Sequence, residues 1–353
     1  MKIALVIAGS LWYTPYVRIY TKILDSLSIN YSIISWNREG DDKPEGFQYN
    51  VICAQGHSSA NFSAYKGYVQ YIKKTILEQK FEKIIVFGPQ IACLLGPFLL
   101  RHFRNRYMID YRDLSIEQKF GFRQLYSVLL KFSSLNIVSS PGFIKYLPKR
   151  EYYISHNFDV ETVKKSIAQN IGDRTFSKDV INVLTIGAIR DYSSNIEVVK
   201  ALGNKKDIYM DFVGKGGPAE RIKEYCQHHD IKNIKFKGFY PKEDEPKFIQ
   251  SCTFMNIYYP RVRTHDTALS NRFYNSLIYK KPMIVTKDTT QGQYAVEYCV
   301  GIAIDDCENI EEKLRTFLQC DFTEYANRCN QLLRKFLIDY EVFEQKVKQF
   351  ILD

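Results

Sequence analysis

Short runs of β-branched and aromatic residues alternate along this chain with stretches whose apolar positions recur every three or four residues. Ile3–Ala8 is the first such run, and a glycine turn follows it. Tyr16–Leu27 then carries apolar residues at helical spacing. Tyr31–Trp36, Lys83–Phe87, Arg106–Tyr111 and Leu135–Val138 read as further strands, with helices at Tyr65–Leu77 and Phe122–Phe132 between them. Continuously apolar strands separated by helices predict a parallel sheet covered on both faces.

A polar stretch, 165–179, interrupts this pattern and reads as a linker. The alternation then restarts. INVLTIG, IYMDFVG, IKFKG, FMNIYY, PMIVTK and GIAI are strands, and Ala219–His228 and Arg272–Tyr279 are helices among them. Two similar α/β halves therefore stand in series, with boundaries at 1–164 and 180–335. The last stretch, Asn327–Asp353, is amphipathic: Leu332, Leu333, Phe336, Leu337, Tyr340, Phe343, Val347 and Phe350 form one apolar stripe. Ligands of such folds gather in clefts between domains and at the carboxyl ends of parallel strands.

Composition changes this picture little. A chain of 353 residues suits two domains. Basic residues outnumber acidic ones 49 to 39, a net charge of +10 that favours anionic partners such as nucleotide diphosphates or an anionic membrane. The charge is dispersed, with no arginine-rich tail, which argues against nucleic acid. None of the eight cysteines forms a C-x-x-C pair, so they read as reduced, buried side chains of a cytoplasmic protein. The first apolar run is too short to span a membrane and reads as a buried strand.

The candidate chemistry lies mostly in the second half. VLTIGAIRDY ends a strand at Gly187, where a ligand can approach the backbone closely, and Arg190 follows on the loop. MDFVGKGGPAERIKEY is a strand, a glycine-rich turn with Gly214 and Lys215, and a helix whose start can face an anion. It matches neither the dinucleotide-binding nor the P-loop spacing. The strand Thr253–Tyr258 ends in a polar loop with Arg261, Arg263, His265 and Asp266, and a helix capped by Ser270 or Asn271 comes next. Helix N–H groups and nearby arginines make a cradle for a diphosphate. In the first half, YMIDYRDLS places Asp110, Arg112 and Asp113 at the carboxyl end of a strand. Asp110 or Asp113 is a candidate general base, set against the reading that an Asp–Arg pair merely fixes the loop. His57 and His156 are weaker candidates.

The ordered series VLTIGAIRDY, DFVGKGG, IKFKGFYPKEDEPKFIQSCTFMNIYY and LSNRFYNSLIYKKPMIVT resembles the donor-binding half of GT-B glycosyltransferases, in particular the family-4-like group of bacterial polysaccharide enzymes. IDYRDL and ISHNFD extend a looser resemblance over the first half. The resemblance implies two Rossmann-like doubly wound parallel-sheet domains facing each other across a cleft, with 336–353 crossing back onto the first. It implies that Gly187 and Arg190 lie at the donor diphosphate, that Phe239 and Tyr240 neighbour the base, and that Ser270, Asn271 and Arg272 sit over the phosphates. Asn275 matches the position of a ribose-binding glutamate. Many retaining members carry two glutamates seven residues apart. Here those positions are Thr267 and Asn275, so the acidic pair is missing.

These readings imply transfer of a sugar from a nucleotide diphosphate, uridine diphosphate by family habit, to a saccharide or lipid-linked acceptor. Arg190, Arg272 and Arg263 would stabilise the leaving diphosphate, with no metal and no cofactor. The basic first half would suit contact with an anionic membrane at its inner face. Two alternatives stand beside this reading: an inactive GT-B scaffold, which the missing acidic pair favours, and a nucleotide-sugar epimerase on the same fold. A nicotinamide dehydrogenase is disfavoured, because IAGSLWYTP after the first strand lacks the fingerprint glycines.

Overall fold

The computed structural model describes residues 1–11, 14–38, 40, 45–53, 62–169, 176 and 179–353. His57 and most of the stretch 165–179 lie outside the described residues. The contacts divide the chain into two compact units, Met1–Asn157 with Ile338–Asp353, and Phe158–Leu337.

The first unit runs β1 (Lys2–Val6), α1 (Val17–Ser26), β2 (Asn30–Trp36), β3 (Phe47–Tyr49), α2 (Phe62–Glu78), β4 (Lys83–Phe87), α3 (Pro89–His102), β5 (Tyr107–Tyr111), α4 (Phe122–Phe132), β6 (Leu135–Val138) and β7 (Tyr153–Ile154). Its strands form one parallel sheet in the order β3-β2-β1-β4-β5-β6-β7. β4 and β5 are buried at every residue, as their unbroken apolar runs require of strands covered on both faces. On one face, Val17, Tyr20, Ile23 and Leu24 of α1 pack with Leu5, Ile85 and Met108 of the sheet and with Phe343, Val347 and Ile351 near the chain's end. Each such buried side chain contributes about 1.5–3 kcal/mol.

The second unit runs α5 (Val160–Ala168), β8 (Ile181–Ile186), α6 (Tyr192–Leu202), β9 (Ile208–Val213), α7 (Gly217–His228), β10 (Ile234–Lys237), α8 (Glu245–Ser251), β11 (Phe254–Ile257), α9 (Arg263–Thr267), α10 (Asn271–Ile278), β12 (Met283–Thr286), α11 (Thr290–Glu297), β13 (Gly301–Ile304) and α12 (Ile310–Phe317). Its six strands are also parallel, in the order β10-β9-β8-β11-β12-β13. α13 (Phe322–Leu352) starts in this unit, and its residues from Ile338 onward belong to the first. Lys83, buried at the start of β4, donates through Nζ to the carbonyls of Phe350 and Ile351 at 2.6 and 3.1 Å and fixes the end of that helix.

Both sheets thus have the doubly wound Rossmann-like order, in which successive strands run outward from the first and then restart on its other side. The polar loop read after β11 contains a short helix, α9. Gly88, between β4 and α3, has a φ of +92°, which glycine adopts without strain. It marks a strand-to-helix turn that carries Pro89 at the first helical position.

Candidate functional site

In a doubly wound sheet the crevice for ligands opens where strand order reverses, outside the carboxyl ends. In the second unit that point lies between β8 and β11. Arg272 fills it. Its Nε donates to the carbonyl of Ile186 at the end of β8, Nη2 to Ala188 at 3.1 Å, and Nη1 to Asn256 of β11 at 3.4 Å. The planar guanidinium thereby holds apart two strand ends with three of its five N–H groups, leaving two. Tyr259 supports it from 5.7 Å. Buried Asn256 donates to Thr185 Oγ1 at 2.9 Å and to Asn195 Oδ1 at 3.2 Å, so the floor of the crevice is a satisfied polar network.

The loops beside the crevice are stitched backbone to backbone. Gly187 follows β8 at φ +94°, and its N–H donates to Val213 at 2.9 Å. Ile189 N donates to Lys215 O at 3.0 Å. Gly214 has φ +132°, and a Cβ there would stand 2.0 Å from the Gly187 oxygen; one on Gly216 would stand 1.8 Å from that of Ile189. Only glycine permits this approach. It leaves the side chains of Arg190 and Lys215 exposed on the two loops, and Arg190 has no hydrogen bond or ion pair with another described residue. Phe239, after β10, is 66% exposed, with the Lys215 ammonium 5.4 Å from its ring.

Tyr240 turns inward instead. Its hydroxyl lies about 4.0 Å from where a Cβ on Gly187 would be, and it donates to Glu245 Oε2 at 2.9 Å. Glu245 is buried at the start of α8. Lys242 also donates to its Oε2, and Asn275 Nδ2 donates to Oε1 at 2.8 Å. Burial, reinforced by the Glu245 carboxylate, pushes the Tyr240 phenol well up, so it stays a neutral donor. The position matched to a family glutamate is an asparagine, yet a carboxylate from another element stands against it. Glu245 was not among the residues singled out in the sequence, where it lies in a charged run, PKEDEPKF, that reads as a solvated surface.

α9 and α10 complete this edge. Arg263 begins α9 and is exposed. His265 Nδ1 donates to the Pro260 carbonyl at 3.1 Å, which fixes the tautomer with Nε2 unprotonated when the ring is neutral. Ser270 caps α10 by accepting from Phe273 N, and its hydroxyl donates to Gln291 Oε1 at 2.7 Å. Asn271 is the first helical residue and is exposed. Thr267, at the other position of the missing pair, is fully buried and bonds back to Arg263 O.

In the first unit Asp110 ends β5. Its side chain is fully buried, and Oδ2 accepts from Tyr20 Oη and Arg112 Nη2, both at 2.6 Å. Arg112 also donates to Ser155 O and Oγ and lies 4.4 Å from the Tyr16 ring. Burial works against the guanidinium charge, but Asp110 and Tyr20 more than offset it and hold the Arg112 pKa above its ordinary value. Asp110 thus anchors Arg112 and presents no face to solvent. Asp113 is exposed on the loop beyond. His156, buried, meets Asp339 of α13 at 3.0 Å. The one large cavity in this unit, about 610 Å³, opens at the opposite edge of the sheet, where Lys83 is already committed to α13. No cluster of His, Cys, Asp and Glu suited to a metal ion occurs among the described residues.

No family model matches the chain, and no curated protein does. Solved structures do. Sucrose-phosphate synthase from Thermosynechococcus elongatus superposes with a TM-score of 0.69 at 14% identity, over 100% of both chains. HepE from Anabaena, solved with UDP and glucose, gives 0.62 at 12% identity over 98% of this chain and 99% of its own. The fold is of the GT-B type. A UDP-N-acetylglucosamine 2-epimerase assigned in Listeria monocytogenes gives 0.59 at 12% identity over 96% of both chains. At these identities the likeness is one of fold, and function is argued from the site.

Proposed function

We propose that the chain is a glycosyltransferase that takes a sugar from a nucleotide diphosphate, uridine diphosphate first among them, and passes it without a metal to a saccharide or lipid-linked saccharide in bacterial surface polysaccharide synthesis. The observation that carries the reading is the Arg272 guanidinium fixed across the strand-order reversal, with exposed Arg190 and Lys215 on the loops beside it. In the reaction the bond between the anomeric carbon and the phosphate oxygen breaks, and a bond to an acceptor hydroxyl forms. Negative charge grows on the departing diphosphate, and cations held in place stabilise it in the transition state at no reorganisation cost. Arg272 supplies its two remaining N–H groups, and Arg190, Arg263 and the start of α10 at Ser270 and Asn271 add to them. Phe239 is placed to stack on a base. Glu245 with Asn275 offers an acceptor and an amide to ribose hydroxyls. Asp113 is the exposed acid that would receive the acceptor's proton, with His265 the candidate on the donor unit.

The likeness to epimerases supports a second reading, in which the chain isomerises the donor alone. The test is incubation with nucleotide sugars, with and without saccharide and lipid-linked acceptors. A transferase releases nucleoside diphosphate in proportion to glycosylated acceptor. An epimerase converts donor with no acceptor present. A chain that does neither is a binding scaffold.

A further inference from the structure

The connections that follow β5 and β6 carry a surface that the donor chemistry does not use. Phe120 is 94% exposed, Phe122 37% and Ile144 39%. Lys119 and Arg123 flank the two phenylalanines, and Lys145 follows Ile144; all three cations are exposed and none is in an ion pair. Both connections leave the carboxyl edge of the same sheet from adjacent strands. They share an aromatic anchor, since Phe143 packs on Tyr111 at 5.2 Å and Tyr111 on Tyr126 at 6.0 Å. Charge in this region is one-sided. From Leu114 to Arg150 six basic residues are exposed, and the one acid, Glu117, is buried and accepts from Tyr111 Oη at 2.6 Å.

From this we infer that the carboxyl edge of β5 and β6 docks on an anionic phospholipid surface, with Phe120 and Phe122 entering the interface and Lys119, Arg123 and Lys145 meeting the headgroups. A fully exposed aromatic side chain gains nothing in water and is covered by a partner when one is present. A ring of unpaired bases with no exposed acid repels a second basic copy and complements a negatively charged lipid surface. Among the described residues no helix is long and apolar enough to cross a membrane, so the attachment is peripheral. The inference deepens the lipid-linked acceptor in the reading above, yet it stands on this surface alone.

The test is co-sedimentation of the full chain with vesicles of phosphatidylcholine alone and of phosphatidylcholine mixed with phosphatidylglycerol. Binding is expected only to the mixture. Phe120→Ser should weaken it about tenfold, as expected for one aromatic side chain withdrawn from the interface. Replacing Lys119, Arg123 and Lys145 together by serine should weaken it roughly a hundredfold, at about fivefold per base. Both variants change exposed side chains, and unchanged thermal unfolding would show that the fold is intact. In Phe120→Trp a blue shift of the added indole on mixing with the vesicles would place the side chain in the interface. Absence of binding to the mixture, or equal binding by the wild type and both variants, overturns the inference. So does a self-associated chain that Phe120→Ser converts to monomer, since the patch would then face a second copy. Nucleotide binding is measured separately, so failure here leaves the donor site standing.

Discussion

Gly214→Ala tests the backbone stitch on which the donor edge is built. The new Cβ would lie 2.0 Å from the Gly187 oxygen and 2.9 Å from its carbonyl carbon, atoms that cannot rotate away. To restore normal contact the two loops must part by about 1 Å, and the φ of +132° is one that alanine rarely adopts. Separation would loosen the bonds Gly187 N to Val213 O and Ile189 N to Lys215 O. Backbone strain of about 1–3 kcal/mol and two hydrogen bonds of about 1 kcal/mol each amount to roughly 3–5 kcal/mol. Urea unfolding followed by near-ultraviolet circular dichroism would read this as an earlier transition of the second unit. The displaced Arg190 and Lys215 would also cost nucleotide affinity. Gly217→Ala is the control, because nothing lies within 4 Å of its Cβ. It should match or slightly exceed wild-type stability. If Gly214→Ala stays within about 1 kcal/mol of wild type, the stitch does not exist as described.

Three further outcomes are expected. Asp110→Asn leaves the Arg112 guanidinium without its carboxylate partner and should destabilise the first unit by about 3 kcal/mol in urea unfolding; a neutral effect would contradict the anchoring role. Burial lowers the Lys280 pKa to about 8, so between about pH 8 and 10.5 the unfolded chain holds more protons and this contribution to stability rises with pH. The stability of wild type relative to Lys280→Met should accordingly increase by about 2–3 kcal/mol from pH 7 to pH 10.5, and a difference that is flat with pH would refute it. Phe239→Ala removes an exposed side chain, so stability should hold within about 0.5 kcal/mol while nucleotide affinity falls about tenfold, as loss of one stacked base predicts.

Much of the fold was legible because the strands are buried on both faces. Lys83–Phe87 and Leu135–Val138 stand where the apolar runs placed them. The short edge strands Phe47–Tyr49 and Tyr153–Ile154 were not, because they have too few residues for a periodicity. α9 hid in a polar loop for the same reason, and the final helix begins at Phe322, ahead of the stripe that announced it. In the site, glycines and arginines at strand ends were readable from type and position. What Arg272 does with its N–H groups was not, because its partners are carbonyls of Ile186, Ala188 and Asn256, which any residue could supply. Asn256 did leave a signal, a lone amide inside the apolar run FMNIYY. Glu245 left none, since sequence does not distinguish the one buried carboxylate among its charged neighbours. Asp110 and Arg112 were seen as a pair, but the burial that sets their role comes from Tyr20 and Ser155, distant in the chain.

The most direct test of the donor site is thermal unfolding with a panel of nucleoside diphosphates and nucleotide sugars, in chelator and in magnesium. A ligand at 100 times its dissociation constant adds about 2.7 kcal/mol to the unit that binds it. The account predicts a rise in unfolding temperature with one nucleotide, the same in chelator, that disappears in the double variant Arg190→Ala, Lys215→Ala while the unliganded unfolding temperature is unchanged. No rise with any nucleotide, or a rise that the double variant keeps, would contradict it.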